Sequence, residues 1–300
     1  MLEEKIVRKL NSITNLPVVP SYIGKILRAL DNADIRAKKL AEHIEKDQSL
    51  TAKILHIANS PWYGQIGKIS TVDLAIIIMG LNSIKEIVIG MLVDKFFART
   101  PSYLFDTKSF WNYSLFCGST SRLLARKTNY KKAGEAFVAG LMHDIGILIL
   151  IQYFSYEFKE IKILVESGKF NMKQAEELVI GCNHAEIGVW MAEKWNLPEQ
   201  LVNCVKYHHT PLNEITEKLD DETIALTRIV SAAEWFANNL GFRSWTLPND
   251  RPPLFADGND IIELIDEDVI DLKSQFGILK HEMMREFNRA SEFNPNPVLD

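Results

Sequence analysis

Apolar residues recur at three- and four-residue spacings along almost the whole chain, and no convincing series of alternating strands with hairpin turns interrupts them. The pattern predicts an all-α protein. The first helix is expected over about residues 2–12, followed by a rigid extended connector at Leu16-Pro17-Val18-Val19-Pro20, where two prolines exclude helix. Ser21 is placed to cap a second helix with Ile23, Ile26, Leu27 and Leu30 on one face. A third runs from Asp34 to near Lys46 with Leu40 and Ile44 inward. A fourth starts at Asp47 or Ser49 and turns Leu50, Ile54, Leu55 and Ala58 inward.

Ala58-Asn59-Ser60-Pro61-Trp62-Tyr63-Gly64 breaks that helix with a polar-aromatic loop, and Ser70-Thr71-Val72-Asp73 begins a new one. Gly80 interrupts the apolar run that follows, and Ser83-Ile84-Lys85-Glu86 has capping-box spacing for the next helix. The composition turns polar around Arg99-Thr100-Pro101-Ser102, where a boundary or hinge is expected. Residues 1–97 are therefore read as an N-terminal array of short helices, 105–240 as a second helical block, and 241–300 as a loop with a C-terminal helical extension. That last helix is expected to carry Ile278, Met283, Met284 and Phe287, and Thr210-Pro211-Leu212 is the most exposed break of the second block.

With 300 residues, 47% of them hydrophobic, the chain can bury a large core. No run approaches the roughly 18 uninterrupted apolar residues of a membrane span, and Met1-Leu2-Glu3-Glu4-Lys5 lacks the organisation of a secretion signal, so a cytoplasmic protein without a membrane partner is expected. The net charge of −5, with both signs interspersed, argues against a nucleic-acid partner, which would need a basic stripe. Cys117, Cys182 and Cys204 are odd in number and without CxxC spacing, so they are read as small buried residues.

The chemistry gathers around His143-Asp144, set within Gly140-Leu141-Met142-His143-Asp144-Ile145-Gly146. A carboxylate in such apolar surroundings needs a cation or a dense set of hydrogen bonds. His184 shares a helix face with Ile187, Gly188, Met191 and Trp195, His208 follows Leu201 and Val205, and His209 aligns with Val202 and Val205, so all three point toward the core. Taken singly, each would pass as a structural histidine. Together with Asp144 they form a donor set suited to a divalent transition metal such as Fe, Mn, Zn or Ni, with one or two ions. Glu234, in Ala232-Ala233-Glu234-Trp235-Phe236, is a carboxylate in an apolar helix whose burial calls for a raised pKa or a nearby cation. Tyr113 shares a face with Phe110, Cys117 and Leu124 and is read as a core aromatic with a partnered hydroxyl. His43, His56 and His281 fall in charged or polar helices and are read as surface or packing residues.

The ordered His-Asp, His and His-His, on successive helices, resemble the metal-binding pattern of the HD phosphohydrolase superfamily, and the chain looks like its HDOD branch. The resemblance covers about residues 12–240. It rests on Leu16-Pro17 with Pro20, on the stretch from Ile44 to Leu55, on Ala58-Asn59-Ser60-Pro61-Trp62-Tyr63-Gly64 and on Phe110-Trp111-Asn112-Tyr113-Ser114. Ala139 to Gly146, Asn183-His184-Ala185-Glu186-Ile187-Gly188 and Trp195-Asn196-Leu197-Pro198 complete it. The resemblance implies a binuclear site, with Tyr113, His143, Asp144 and Glu234 around one metal and Asp144 bridging to a second held by His184, His208 and His209. Tyr113 stands where the superfamily has His, and Glu234 where it usually has Asp, so the first half is altered and the second complete.

The resemblance further implies a non-enzymatic regulatory module of bacterial signal transduction, acting by docking to a signalling protein. A metal-dependent phosphohydrolase, with Asp144 as its central catalytic ligand, is the alternative, and a mixed-ligand iron oxidase a third. Related cyclic di-GMP phosphodiesterases have a Lys after His-Asp-Ile-Gly and a Gly-Tyr-Pro after the paired His; here those places hold Ile147 and Thr210-Pro211-Leu212, which disfavours that hydrolysis. No receiver, kinase or cyclase segment is read in the chain, so its input is expected from a separate partner.

Overall fold

The computed structural model describes residues 4–12, 26, 29, 35–60, 63, 69–97, 106–195, 197–242 and 272–291. All regular elements among them are helices: α1 (Glu4–Asn11), α2 (Ala37–Ile44), α3 (Gln48–Ala58), α4 (Val72–Phe97), α5 (Thr107–Lys127), α6 (Ala133–Met142), α7 (Ile145–Tyr153), α8 (Ser155–Glu166), α9 (Met172–Ile180), α10 (His184–Lys194), α11 (Glu199–Tyr207), α12 (Leu212–Ile215), α13 (Asp221–Asn239) and α14 (Leu272–Ser291). The all-α expectation holds. Of the helix expected after Ser21, only Ile26 and Ala29 are described, both helical. The prolyl connector, Asp34, Pro61, Trp62, Gly64, the segment around Arg99–Ser102 and the loop after Phe242 lie outside the described residues.

Packing divides the chain into two compact units, one within Pro17–Lys95 and one made of Met1–Leu16 with Phe96–Ser291. In the first, Asp47 caps α3 by accepting from the Leu50 N–H at 2.9 Å, and Leu50, Ile54, Ile57 and Ala58 form the buried face. Asn59 closes the following loop. Its amide donates to the carbonyls of Leu55 (2.9 Å) and Ile69 (2.7 Å) and accepts from the Ile69 N–H at 3.0 Å. The break in α4 falls at Gly80 itself, not at Ser83, because Gly80 has φ 79° and ψ 160°, a conformation a residue without Cβ adopts freely.

In the second unit, α5 is the central helix, capped by Asp106 through the Ser109 N–H and buried on most of its length, with α6, α13 and α14 packed around it. Gly118 and Gly140 let α5 and α6 approach closely: a Cβ on Gly140 would strike Ser121 Oγ and the Cys117 carbonyl. α14 docks through a buried ion pair, Arg122 to Glu286 at 3.2 Å. Of the apolar residues expected on α14, Met283 is buried and Phe287 packs against Phe116 and Phe242 with ring centroids 5.9 and 4.9 Å away, whereas Ile278 is 65% exposed; Leu279 and Ala290 join Glu286 on the buried face. α1 joins the same unit through Lys9 to Glu157 (2.6 Å) and through the Trp190 indole N–H donating to Asn11 Oδ1 (3.3 Å).

Val72–Met91 and Ala133–Tyr153 are long and apolar enough to cross a membrane. The second is 94% buried inside the protein and is broken between α6 and α7 by His143 and Asp144, so its apolar character belongs to the core.

Candidate metal centre

Four helix ends bring the polar residues together. His143 closes α6 and Asp144 precedes α7; His184 opens α10; His208 closes α11, with His209 next to it. α7 and α10 meet backbone to backbone at Gly146 and Gly188. A Cβ on Gly146 would collide with the His184 carbonyl oxygen, so the absence of a side chain there sets Asp144 against His184. α13 contributes Glu234 and holds the end of α11 by a 2.6 Å hydrogen bond from Ser231 Oγ to the His208 carbonyl. α5 contributes Tyr113.

Asp at a helix N-cap normally accepts from the first-turn N–H groups, yet Asp144 makes no such bond. Its oxygens turn instead to imidazoles. Oδ1 lies 3.3 Å from His184 Nε2 and 3.4 Å from His208 Nε2, and Oδ2 lies 3.4 Å from His143 Nε2. Both oxygens are buried without a hydrogen-bond partner, as are His208 Nε2 and Glu234 Oε1. Such an orphan set in a closed interior suits a cation.

The other imidazole nitrogens are tied back. Gly140 O accepts from His143 Nδ1 at 2.8 Å, and Val205 O from His208 Nδ1 at 2.7 Å. Glu176 accepts from His184 Nδ1 at 2.8 Å. With Nδ1 protonated in each, Nε2 is the atom presented to the site. Two ligands of a tetrahedral ion bound at about 2.1 Å stand about 3.4 Å apart, which matches the nitrogen-to-carboxylate spacings here. His209 Nε2 is 3.0 Å from His184 Nε2. Two donor sets are close enough to share an ion: Asp144, His184, His208 and His209, and His143, Asp144 and Glu234.

Burial opposes the charge of Asp144, but His143 first, then His184 and His208, hold its carboxyl well below the usual range. Burial works against the His184 imidazolium too, and is outweighed by Glu176 and Asp144, so His184 is raised. Burial, with His143 and His184 adding like charge, lowers His208 to about 4. His209 is lowered well below its ordinary value by burial and the neighbouring imidazoles. Burial, then the charge of Asp144, pushes Glu234 up to about 8. The Tyr113 phenol, pushed up by burial and by Glu234 and Asp144, keeps its proton; its oxygen is 3.3 Å from His143 Nε2.

Every residue singled out from the sequence, Tyr113, His143, Asp144, His184, His208, His209 and Glu234, thus falls in one buried cluster. His43 and His56, read as surface or packing residues, lie in the other unit, and His281 is exposed on α14. Glu176 was not anticipated. It sits on the buried face of α9 with Met172, Ala175 and Ile180, a spacing that could have revealed it.

The HDOD domain model matches residues 16–211. A protein of Treponema pallidum (strain Nichols) is 24% identical over 200 residues, 66% of this chain and 38% of that protein, so the chain spans well under half the length of this relative. Among solved structures, an HDOD domain protein from Geobacter sulfurreducens superimposes with a TM-score of 0.74 at 24% identity, covering 97% of this chain and 100% of that one. Two more bear names that propose a signal transduction protein, from Marinobacter aquaeolei, and a phosphohydrolase, from Shewanella amazonensis. Their TM-scores are 0.71 and 0.70 at 18% and 23% identity, with 96% of this chain covered in each case and 65% and 98% of theirs. These likenesses establish the shared fold. With the family model matching well over half of its length, the chain belongs to the HDOD domain family.

Proposed function

We propose that the protein is a regulatory module of bacterial signal transduction that works by docking to a signalling protein, and that it holds one divalent transition-metal ion as part of its structure. Asp144, His184, His208 and His209 would hold the ion. Four protein donors make a closed set, the arrangement of structural rather than catalytic sites, where one position stays open. When bound, the ion would neutralise Asp144 and join the ends of α7, α10 and α11, adding its binding energy to folding.

The observation that carries this reading is the contact of Tyr113 with His143. Because His143 Nδ1 is committed to Gly140 O, only Nε2 remains for an ion, and Tyr113 engages it. As imidazolium, Nε2 donates to the phenol; as neutral imidazole, it accepts from it. Burial and the charge of Asp144 push the Glu234 carboxyl up, so its ionised form is disfavoured beside that group. The second donor set is therefore the weaker of the two. Hydrolysis of phosphoesters by two-ion sites draws on both ions, so this chain is expected to bind metal without turnover.

One observation favours the alternative, a metal-dependent phosphohydrolase. Asp144 offers Oδ1 to one set and Oδ2 to the other, as a bridging carboxylate would. The two readings separate in a phosphoester panel run on protein loaded with Mn, Fe, Ni or Zn beside Asp144→Ala. Equal background rates are expected; turnover lost in Asp144→Ala would establish the hydrolase instead.

A further inference from the structure

Glu176 is fully buried, and both of its carboxylate oxygens are spent on one residue. Oε2 accepts from the His184 backbone N–H at 3.0 Å and from His184 Nδ1 at 2.8 Å, while Oε1 lies 3.0 Å from the same Nδ1. The local fold is built to bring this about. α9 ends at Gly181 in the left-handed conformation, with φ 77°. The chain doubles back, and Asn183 caps α10 through reciprocal bonds with Glu186, so His184 enters the helix beside Glu176. A buried carboxylate costs several kcal/mol unless a cation balances it.

We propose that Glu176 is the positioning residue of the His184 ligand, an inference that rests on the metal reading above. By accepting from Nδ1 it fixes the ring with Nε2 facing Asp144 Oδ1, and its charge makes that nitrogen a stronger donor. Of the four residues that would hold the ion, His184 is backed by a carboxylate; His208 leans on the weaker dipole of a carbonyl.

Glu176→Gln separates positioning by charge from mere capping. The amide oxygen still accepts from the His184 N–H and Nδ1–H, but the negative charge is gone. Zn2+ affinity is measured by competition with a chromophoric chelator, and the ligand-field bands of the Co2+-loaded protein are recorded for wild type, Glu176→Gln and the exposed α8 variant Glu160→Gln. Glu176→Gln is expected to weaken Zn2+ by about 10- to 100-fold and to shift the Co2+ bands, with helical circular dichroism unchanged and Glu160→Gln matching wild type. Should Glu176→Gln not fold, Glu176→Asp, whose carboxylate falls short of Nδ1, is read in its place, with the same weakening expected. Wild-type affinity and bands in the variant that folds would overturn the role of Glu176 while leaving the metal site standing. Wild type that takes up neither ion would overturn the metal site and this role together.

Discussion

The Tyr113 hydroxyl lies 3.3 Å from His143 Nε2, the nitrogen that also stands 3.4 Å from Asp144 Oδ2. A phenol and a carboxylate thus meet on the one atom through which His143 could bind an ion. This contact separates a four-donor set from a three-donor set around a shared aspartate.

Replacing the phenol by a ligand is expected to open the second set. Tyr113→His should raise metal content from about one to about two equivalents per chain. The smaller ring leaves some space and costs roughly 1–3 kcal/mol, which a core of this size tolerates. Elemental analysis of wild type and variant side by side checks it, and an unchanged content would show that Tyr113 does not control the second set.

The two sets should respond differently to loss of one donor. His208→Ala removes one of four ligands, and its metal affinity is expected to fall by at least about 100-fold. Glu234→Gln belongs to the other set and should stay within about tenfold of wild type. Chelator competition measures both; equal losses would mean that one ion uses donors from both sets.

How far the sequence foretold this arrangement follows from what each residue's neighbours reveal. His143 and Asp144 stood out because they interrupt a run that is otherwise all apolar, and His184 and His208 because their three-four partners, Ile187, Met191, Val205 and Leu201, are unmistakably core. Glu176 was hidden by Lys173, Gln174 and Glu177, which make α9 look like a solvated helix. Only the thin stripe of Met172, Ala175 and Ile180 marks its face. On α14 Ile278 turns outward while Glu286 turns in, and Glu286 is charged, with its partner Arg122 164 positions away. Long-range pairing of that kind leaves no trace in local periodicity. The break in α4 was assigned correctly to Gly80 as an interruption, but the capping pattern at Ser83 competed with it, and the glycine's backbone freedom prevailed.

Close backbone approach should make Gly146 intolerant of change. Gly146→Ala forces its methyl against the His184 carbonyl, which is backbone and cannot swing aside. A loss of about 3 kcal/mol or more is expected, at the upper end of overpacking effects, together with loss of metal. Urea unfolding checks it; a loss under about 1 kcal/mol would show that α7 and α10 can separate without disturbing the fold.

Stability should fall on the alkaline side. Burial raises the Cys204 thiol to about 12, and raises Cys117, with Glu234 adding to the effect, well above its ordinary value. The unfolded chain releases these protons near pH 9, whereas the folded chain retains them. Between about pH 9 and 12 the native state therefore binds more protons at Cys204, and the free energy of unfolding drops by about 1.4 kcal/mol per pH unit, with Cys117 acting in the same direction. The Cys204 contribution is complete below pH 9 and gone above 12. Urea midpoints at pH 8, 9, 10 and 11 are expected to decline beyond pH 9; a flat or rising series would contradict buried, protonated thiols.

The most direct measurement is the metal content of wild-type protein purified without a histidine tag or added metal. One equivalent of a divalent transition metal per chain is expected, carried by Asp144, His184, His208 and His209 and lost in His208→Ala. A content near two would mean that the Tyr113 contact leaves the second set open, and a content near zero that the buried cluster satisfies itself without an ion; either result would contradict the one-ion centre.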